Sequence, residues 1–155
     1  MEPNEPSLKQ AVKIAFRPFE ASDRGFILKS WLKCHRRNHA GVSDDDYFAG
    51  QTYLIFALAA KSKMVIACDE AHPEFILGFI CGRTAKNLND VIIDYVYVKE
   101  PYRRNGVGRD LVSHIGYRAQ GRIIATHWSR CVLPISQVYP IHFNPFINTI
   151  GVPDV

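Results

Sequence analysis

Residues 98–109 read VKEPYRRNGVGR, and this stretch decides the fold because it joins a predicted strand to a predicted helix. The strand is 91–98, which is rich in β-branched and aromatic residues, and the helix is 106–120. Apolar residues recur every four positions along that helix: Val107, Leu111, Ile115 and Ala119. A helix start leaves backbone N–H groups unpaired and concentrates partial positive charge, so the turn suits a phosphate group.

Charge is concentrated around the same turn. The 155-residue chain has a net charge of +4, and residues 99–130 carry seven Lys or Arg against two acidic residues. Arg103, Arg104 and Arg109 belong to this basic stretch, and Gly106 and Gly108 let the backbone approach a ligand closely. The pattern indicates an anionic partner.

Two common phosphate-binding motifs fit the turn poorly. A dinucleotide-binding turn needs a third glycine and an acidic residue about twenty positions on, but this sequence has Leu111 and then ATHWSR. A P-loop needs Gly-Lys-Ser/Thr, which does not follow here.

The turn instead resembles the signature of the GNAT superfamily of N-acetyltransferases. Arg103-x-x-Gly106-x-Gly108 matches the family's Arg/Gln-x-x-Gly-x-Gly/Ala pattern, and Val98 lies five residues before it, as the strand-ending valine does in that family. The resemblance covers residues 12–128. It implies an α/β (α+β) fold with a mixed, mostly antiparallel sheet, flanking helices, and a splayed parallel pair formed by strands 91–98 and 122–127.

The remaining elements agree with that order. Strands are predicted at 12–16, 64–68 and 75–82. A first helix is predicted from Ser22 or Asp23, with an apolar face formed by Phe26, Ile27, Trp31 and Cys34. Ser43 and Asp46 form a capping-box signal for a second helix that runs to Lys61 and is apolar enough to predict burial. We expect one acetyltransferase domain over 1–155, with a loose lead-in at 1–11 and an irregular tail at 129–155.

The resemblance implies a cofactor site at the end of strand 91–98. The backbone around Arg104, Asn105, Gly106, Val107 and Gly108 would hold the pyrophosphate of acetyl-CoA, with Arg103 and Arg109 beside it. Tyr97 and Val98 would contact the pantetheine arm, and an amide there would polarise the thioester carbonyl. The amine would then attack directly, without an acyl-enzyme.

Three side chains are candidate proton carriers. Asp94 lies in the strand before the turn on the same face as Ile92, where it is either the base or a structural carboxylate. His127 ends the next strand, and its ordinary pKa suits proton transfer near neutral pH. Tyr139 is the candidate acid for the departing thiolate, with Ser129 as a weaker alternative, although the family's usual spacing around that tyrosine is absent.

The other polar motifs predict no metal. His35 and His39 are spaced one helical turn apart, but no third ligand is near in sequence, so a surface pair is the better interpretation. Four cysteines occur without a CxxC pair, which favours a reducing, cytoplasmic location. No apolar run is long enough for a membrane helix, and the polar first residues, MEPNEPSLKQ, lead us to expect no signal peptide.

The sequence therefore predicts an acetyl-CoA-dependent N-acetyltransferase acting on an unidentified amine, with a homodimer as one assembly to test. Two alternatives remain: a CoA-binding module that acts through a partner, and an acyltransferase that modifies nucleic acid. The second is not favoured, because the cofactor turn already accounts for most of the basic residues. The small size and the strand ends at 97–99 and 126–128 are similar to phage-encoded acetyltransferases, which would act in the host cytoplasm.

Overall fold

The fold is a six-stranded sheet with helices on both faces. The computed structural model describes residues 12–118 and 120–148, so the predicted lead-in at 1–11 lies outside the described residues. The strands and helices within these ranges are, in order, β1 Ile14–Pro18, α1 Arg24–His35, α2 Asp44–Lys61, β2 Lys63–Asp69, β3 Ile76–Thr84, β4 Val91–Val98, α3 Val107–Ile115, β5 Ile123–Ala125, α4 Val132–Val138 and β6 Ile141–Phe143.

The sheet is mixed, as predicted. Its strands lie in sequence order from β1 to β6. The pairs from β1 to β4 are antiparallel, whereas β4 with β5 and β5 with β6 are parallel. The parallel arrangement of β4 and β5 arises because α3 carries the chain back across the sheet, as a crossover connection must.

Each face of the sheet is covered by its own helices. On one face, α3 and α4 bury Leu111, Val112 and Ile135 against strand residues such as Ile80 and Val96. On the other face, α1 and α2 bury another cluster, which includes Trp31, Ile55, Ile66, Phe79 and Tyr95. Both faces of β4 are consequently buried, which explains why its sequence is apolar or aromatic at every position except Asp94.

The predicted ends of two elements were wrong for local reasons. β1 includes Pro18, because β1 is the first strand of the sheet and an edge strand tolerates a residue without an N–H donor. α3 ends at Gly116 rather than near Gly121, since Gly116 has a φ of 106° and adopts the left-handed conformation that terminates helices. Ala119, predicted to continue its apolar face, lies outside the described residues.

The tail after residue 129 is more regular than predicted. It contains α4 and β6, and β6 pairs parallel with β5 from Ile123↔Ile141 to Ala125↔Phe143. Pro134 is tolerated because it is the third residue of α4, where its missing N–H would have no partner inside the helix. The prediction of an irregular tail was therefore wrong over these two elements.

The second helix is not buried all round, which corrects another prediction. Ser43 accepts a hydrogen bond from the Asp46 N–H as the capping signal indicated. Only Tyr47, Gln51 and Ile55 are buried along α2, because the helix contacts its neighbours along one narrow side. Cys34 is exposed rather than packed, and all four cysteines are free. None of the helices in the described ranges is long and apolar enough to cross a membrane.

Candidate active site

The turn between β4 and α3 has a strained backbone that Arg103 stabilises from the side. Arg104 has a φ of 68° and Gly106 a φ of 78°, both in the left-handed region. The Arg103 Nε donates a hydrogen bond of 2.7 Å to the Val98 carbonyl oxygen, so this side chain ties the turn back to the strand end. An unfavourable φ at a non-glycine residue is typical of functional turns, and here it occurs where the sequence predicted the pyrophosphate site.

A cavity of about 400 Å³ opens beside this turn. It is lined by Val98, by residues 103–109, and by Cys131, Pro134, Ile135, Val138 and Tyr139. The structure thus brings together the predicted cofactor residues except Tyr97, whose ring packs against Phe26 and Phe79 on the other face of the sheet.

The chemistry of this cavity suits a molecule with a phosphate end and an apolar arm. The first hydrogen bond of α3 joins the Asp110 N–H to the Gly106 oxygen, so the three preceding amides have no partner within the helix. Arg104 and Arg109 line the same end, and α4 supplies an apolar wall through Pro134, Ile135 and Val138. The residues present therefore fit the predicted acetyl-CoA.

β4 and β5 separate beyond their first three pairs. The parallel pairing ends at Ile93↔Ala125, followed by a bond of 3.0 Å from the Thr126 N–H to the Ile93 oxygen, whereas β4 continues to Val98. Side chains span the opening. Ser129 Oγ lies 3.4 Å from the Val96 oxygen, and the Val98 N–H donates to Cys131 Sγ at 3.5 Å. The backbone groups at the end of β4 therefore face the opening, and these hydrogen bonds across it are long and weak.

Asp94 lies in the middle of β4 at a bulge. Opposite it, β3 pairs Cys81 with Tyr95 and Gly82 with Ile93, which leaves Asp94 without a partner residue. Its side chain is fully buried, and it forms an ion pair of 3.2 Å with Arg83. Three further donors reach its carboxylate oxygens: Ser62 Oγ at 2.9 Å, Thr126 Oγ1 at 3.1 Å and Asn148 Nδ2 at 2.8 Å. These donors and the burial leave the carboxylate no open side.

His127 lies two residues beyond β5, which ends at Ala125 rather than at His127 as predicted, and one of its ring nitrogens is fixed. Its Nδ1 is 2.9 Å from the Asp94 main-chain oxygen and 2.9 Å from Thr126 Oγ1. A carbonyl oxygen can only accept a hydrogen bond, so Nδ1 carries the proton and the Nε2 lone pair is left for another partner. Burial lowers the pKa of His127 below its ordinary value, and the Asp94 charge only partly opposes that effect. The imidazole is consequently neutral at neutral pH.

His35 contacts His127 and is not at the surface, contrary to the sequence prediction. It is 3% exposed, its ring centroid lies 4.9 Å from that of His127, and burial followed by repulsion from His127 lowers its pKa to about 4. His39 is exposed and packs on the Tyr47 ring instead, so the two histidines form no pair. Among the described residues, no group of three or more His, Cys, Asp or Glu side chains could hold a metal ion.

Tyr139 lies on the cavity side of the sheet. It follows α4, lines the cavity, and packs its ring edge-on against Tyr117 with the centroids 5.0 Å apart. Cys131 and Thr126 were not identified from the sequence, because nothing in their local pattern signals that they reach β4. Their partners lie about 32 residues earlier in the chain and become neighbours only through the parallel pairing.

Comparisons with known proteins agree with this architecture. A model of the acetyltransferase (GNAT) family matches residues 23–129. The crystal structure of a possible acetyltransferase from Clostridium difficile 630 is 17% identical with a TM-score of 0.51, and the match covers 84% of this chain and 93% of that one. This likeness shows the fold.

Two further structures are more distant. An acetyltransferase of the GNAT family from Staphylococcus aureus Mu50 is 16% identical with a TM-score of 0.45, over 66% of this chain and 63% of that one. NAA60 from Arabidopsis thaliana, in complex with acetyl-CoA, is 20% identical with a TM-score of 0.40, over 66% and 65%. The chain thus spans less than two thirds of the length of these two proteins. No curated protein sequence matches it.

Proposed function

The chain belongs to the acetyltransferase (GNAT) family, and from that premise we propose that it transfers the acetyl group of acetyl-CoA directly to the nitrogen of an amine. The observation that carries this proposal is the cavity beside α3, which joins unpaired amides and arginines at one end to the open end of β4 at the other. The similar structure of NAA60 from Arabidopsis thaliana is a complex with acetyl-CoA. Bound acetyl-CoA supplies the activated acetyl thioester.

The binding residues divide by chemistry. The amides of Val107, Gly108 and Arg109 and the side chain of Arg104 hold the phosphates, while Arg103 keeps the turn closed. The Val98 N–H is our candidate for the donor that polarises the thioester carbonyl. Its present partner, a sulfur at 3.5 Å, is a weaker acceptor than a carbonyl oxygen and is readily displaced.

We assign the base to His127 and a positioning role to Asp94. Nε2 of His127 carries the available lone pair, and it lies on the face of the sheet opposite the cavity. An amine on that face can reach the acetyl group through the opening between β4 and β5. The Asp94 carboxylate accepts from Thr126, whose oxygen in turn lies against His127 Nδ1, so it orients the imidazole without touching the amine. Tyr139, on the cavity side, is the proton donor for the departing thiolate.

A test is release of free thiol from acetyl-CoA in the presence of a panel of amines: small polyamines, aminoglycosides, peptides with free N-termini and aminated nucleosides. We expect amine-dependent thiol release with at least one class and an acetylated product of matching mass. Acetyl-CoA binding without thiol release for any amine, including those in native lysate, would favour the CoA-binding module.

One observation gives that second candidate a basis. The Val98 N–H already contacts Cys131 Sγ within the chain, so a cavity that binds CoA without polarising a thioester is compatible with this geometry. Replacement of Cys131 by Ala separates the two. If the protein is an enzyme, the thioester displaces this weak contact, so the natural chain is already active and Cys131→Ala should leave its turnover intact. If the contact keeps the protein an inactive module, turnover should appear only after the replacement.

The nucleic-acid alternative has weaker support. Four cations of the basic stretch already have partners or line the cavity, namely Arg103, Arg104, Arg109 and Arg122, the last of which is paired with Asp90. Binding to nucleic acid through the remaining ones would weaken steeply with salt. The acceptor, the cytoplasmic location and the phage origin stay predictions.

A further inference from the structure

α2 carries an uncharged, outward-facing surface that the proposed function does not use. No charged residue occurs between Asp46 and Lys61. Within this stretch Phe48, Tyr53 and Leu54 are 58%, 74% and 52% exposed. An apolar surface of this kind on one helix typically marks an interaction site.

Part of this surface forms a continuous stripe along one side of the helix. The residues that share this side recur at helical spacings of three or four, and each of them is exposed. They are Asp46, Gly50, Tyr53, Leu54, Ala57 and Lys61. The stripe begins with an acid, ends with a base, and contains only uncharged residues between them.

The stripe is complementary to itself. Its midpoint lies between Tyr53 and Leu54, and a half-turn about that point exchanges Asp46 with Lys61 and Gly50 with Ala57. A second copy laid antiparallel would therefore set each acid against a base, each small residue against a small residue, and Tyr53 against Leu54. Such a self-complementary patch is what a two-fold symmetric contact requires.

We propose that this stripe of α2 is the interface for a second copy of the chain, packed antiparallel. The proposal is independent of the proposed function. Gly50 supports it, because a Cβ at that position would meet no atom of the described residues within 4 Å. A glycine in the middle of a helix is less favourable than Ala. Packing among the described residues gives no reason for Gly50, whereas a close approach of a second helix does.

The same geometry predicts a weak dimer. The stripe extends over sixteen residues, from Asp46 to Lys61, or roughly 22 Å of helix. One side of a helix of this length buries less area than the roughly 800 Å² per partner of a standard stable interface. Exposed ion pairs contribute little to affinity, so Asp46 and Lys61 fix the orientation of the two helices more than the strength of the dimer. We therefore expect a reversible dimer that forms with rising protein concentration.

The chain offers a matched control. Phe48 and Leu54 lie three residues before and three residues after the buried Gln51, so they flank the buried side of α2 on opposite sides. Their exposed fractions are similar, at 58% and 52%, but only Leu54 belongs to the stripe. Leu54→Lys and Phe48→Lys thus make the same chemical change to exposed apolar side chains, and neither disturbs the core.

Sedimentation equilibrium from low micromolar to near-millimolar protein tests the interface. We expect a concentration-dependent dimer for the natural chain, a dimer dissociation constant raised at least about tenfold, or 1.4 kcal/mol, by Leu54→Lys, and no change for Phe48→Lys. Lys61→Asp should weaken the dimer, and the double change Asp46→Lys with Lys61→Asp should restore it.

Several results would overturn the interface. They are a monomer at every concentration, a dimer insensitive to Leu54→Lys, or equal losses for Leu54→Lys and Phe48→Lys. Sedimentation of a monomeric chain with phosphatidylcholine vesicles, abolished by Leu54→Lys, would instead identify a lipid surface as the occupant. Circular dichroism of each variant verifies that α2 is folded. If the Asp46 change unfolds its capped helix end, Lys61→Asp and Leu54→Lys decide the outcome on their own.

Discussion

At the scale of single residues, His127 is the group whose protonation the fold controls most directly. Its Nδ1–H donates to the Asp94 main-chain oxygen, which leaves Nε2 as the acceptor. His127→Gln keeps a polar side chain but removes the titratable lone pair, so we expect turnover to fall about 10²–10⁴-fold with acetyl-CoA affinity unchanged. Steady-state kinetics with a cofactor-binding measurement checks both.

The rate should depend on pH through the protonation state of His127. Burial lowers the pKa of His127, so the base is neutral above a pKa that lies below 6.5, and the rate falls as the pH drops through it. His127→Gln should lose this acid limb. An unchanged limb in that variant would place the base elsewhere.

Asp94→Asn should have different effects from replacement of the catalytic base. It leaves the partly buried Arg83 without a counter-charge. Breaking a fully buried ion pair costs about 3–5 kcal/mol, so we expect a loss of stability up to that size. The Asp94 charge raises the pKa of His127, so its removal should shift the acid limb of the rate to lower pH without abolishing it. A melting curve and a pH–rate profile measure these effects. Complete loss of the limb at full stability would make Asp94 the base.

His35 should make the folded protein sensitive to acid. Its pKa is about 4 in the fold and near 6.5 when unfolded, so the unfolded chain binds more protons between these values. Stability therefore decreases as the pH falls from about 6.5 to about 4, by up to about 3 kcal/mol. His35→Phe should flatten the dependence of melting temperature on pH over this window. An unaltered slope would show that another group is responsible.

The residue scale also shows what sequence reasoning could reach. Asp94 and His127 were identified because they lie in or next to strands that the pattern predicts. Their roles could not be ranked, because the donors that surround the Asp94 carboxylate come from Ser62, Arg83, Thr126 and Asn148, at distant points of the chain. His35 looked like a surface residue because its burial depends on β5, which follows about 90 residues later.

At the scale of elements, the turn between β4 and α3 is the part of the fold whose local structure is determined by residues adjacent in sequence. Val98, Arg103 and the two glycines act through neighbouring backbone, so the cavity residues were accessible from the sequence. The exposure of α2 and the pairing of β6 were not, because both depend on which surfaces the completed fold leaves available.

Backbone conformation in that turn predicts unequal effects of two substitutions. Gly106→Val places a branched residue at a φ of 78°, a strain of about 1–3 kcal/mol, and crowds the cavity. Acetyl-CoA affinity should fall at least about tenfold. Arg104→Gly relaxes a φ of 68° and removes one cation, so it should weaken binding less and leave stability nearly unchanged. Calorimetric titration measures both affinities.

Gly41→Val is a suitable control for these two variants. A Cβ at Gly41 would meet no atom of the described part of the chain within 4 Å, and the residue lies outside the turn, so neither stability nor affinity should change much. Normal acetyl-CoA binding by a folded Gly106→Val protein would place the phosphates elsewhere.

At the scale of the whole molecule, the two faces of the sheet carry different parts of the proposed reaction. The cavity lies with α3 and α4, whereas His127 packs beside α1 on the opposite face. The opening between β4 and β5 is where the two sides meet. An amine can thus reach the acetyl group from one face while the thiol leaves on the other, which is consistent with direct transfer in a ternary complex.

Cofactor binding should therefore stabilise the whole fold, since the cavity joins α3, α4 and the end of β4. Acetyl-CoA at about a hundred times its dissociation constant should add roughly 2.7 kcal/mol. For a chain of 155 residues this corresponds to a melting temperature raised by about 5–10 °C. NAD and ATP should have much smaller effects, because neither carries an arm that fills the apolar wall of α4. Differential scanning fluorimetry with all three ligands measures these effects. Equal shifts in melting temperature would indicate that the cavity binds phosphate groups in general. Gly106→Val supplies the internal check: a cofactor bound at this turn must lose most of its stabilising effect in that variant, whereas one bound elsewhere keeps it.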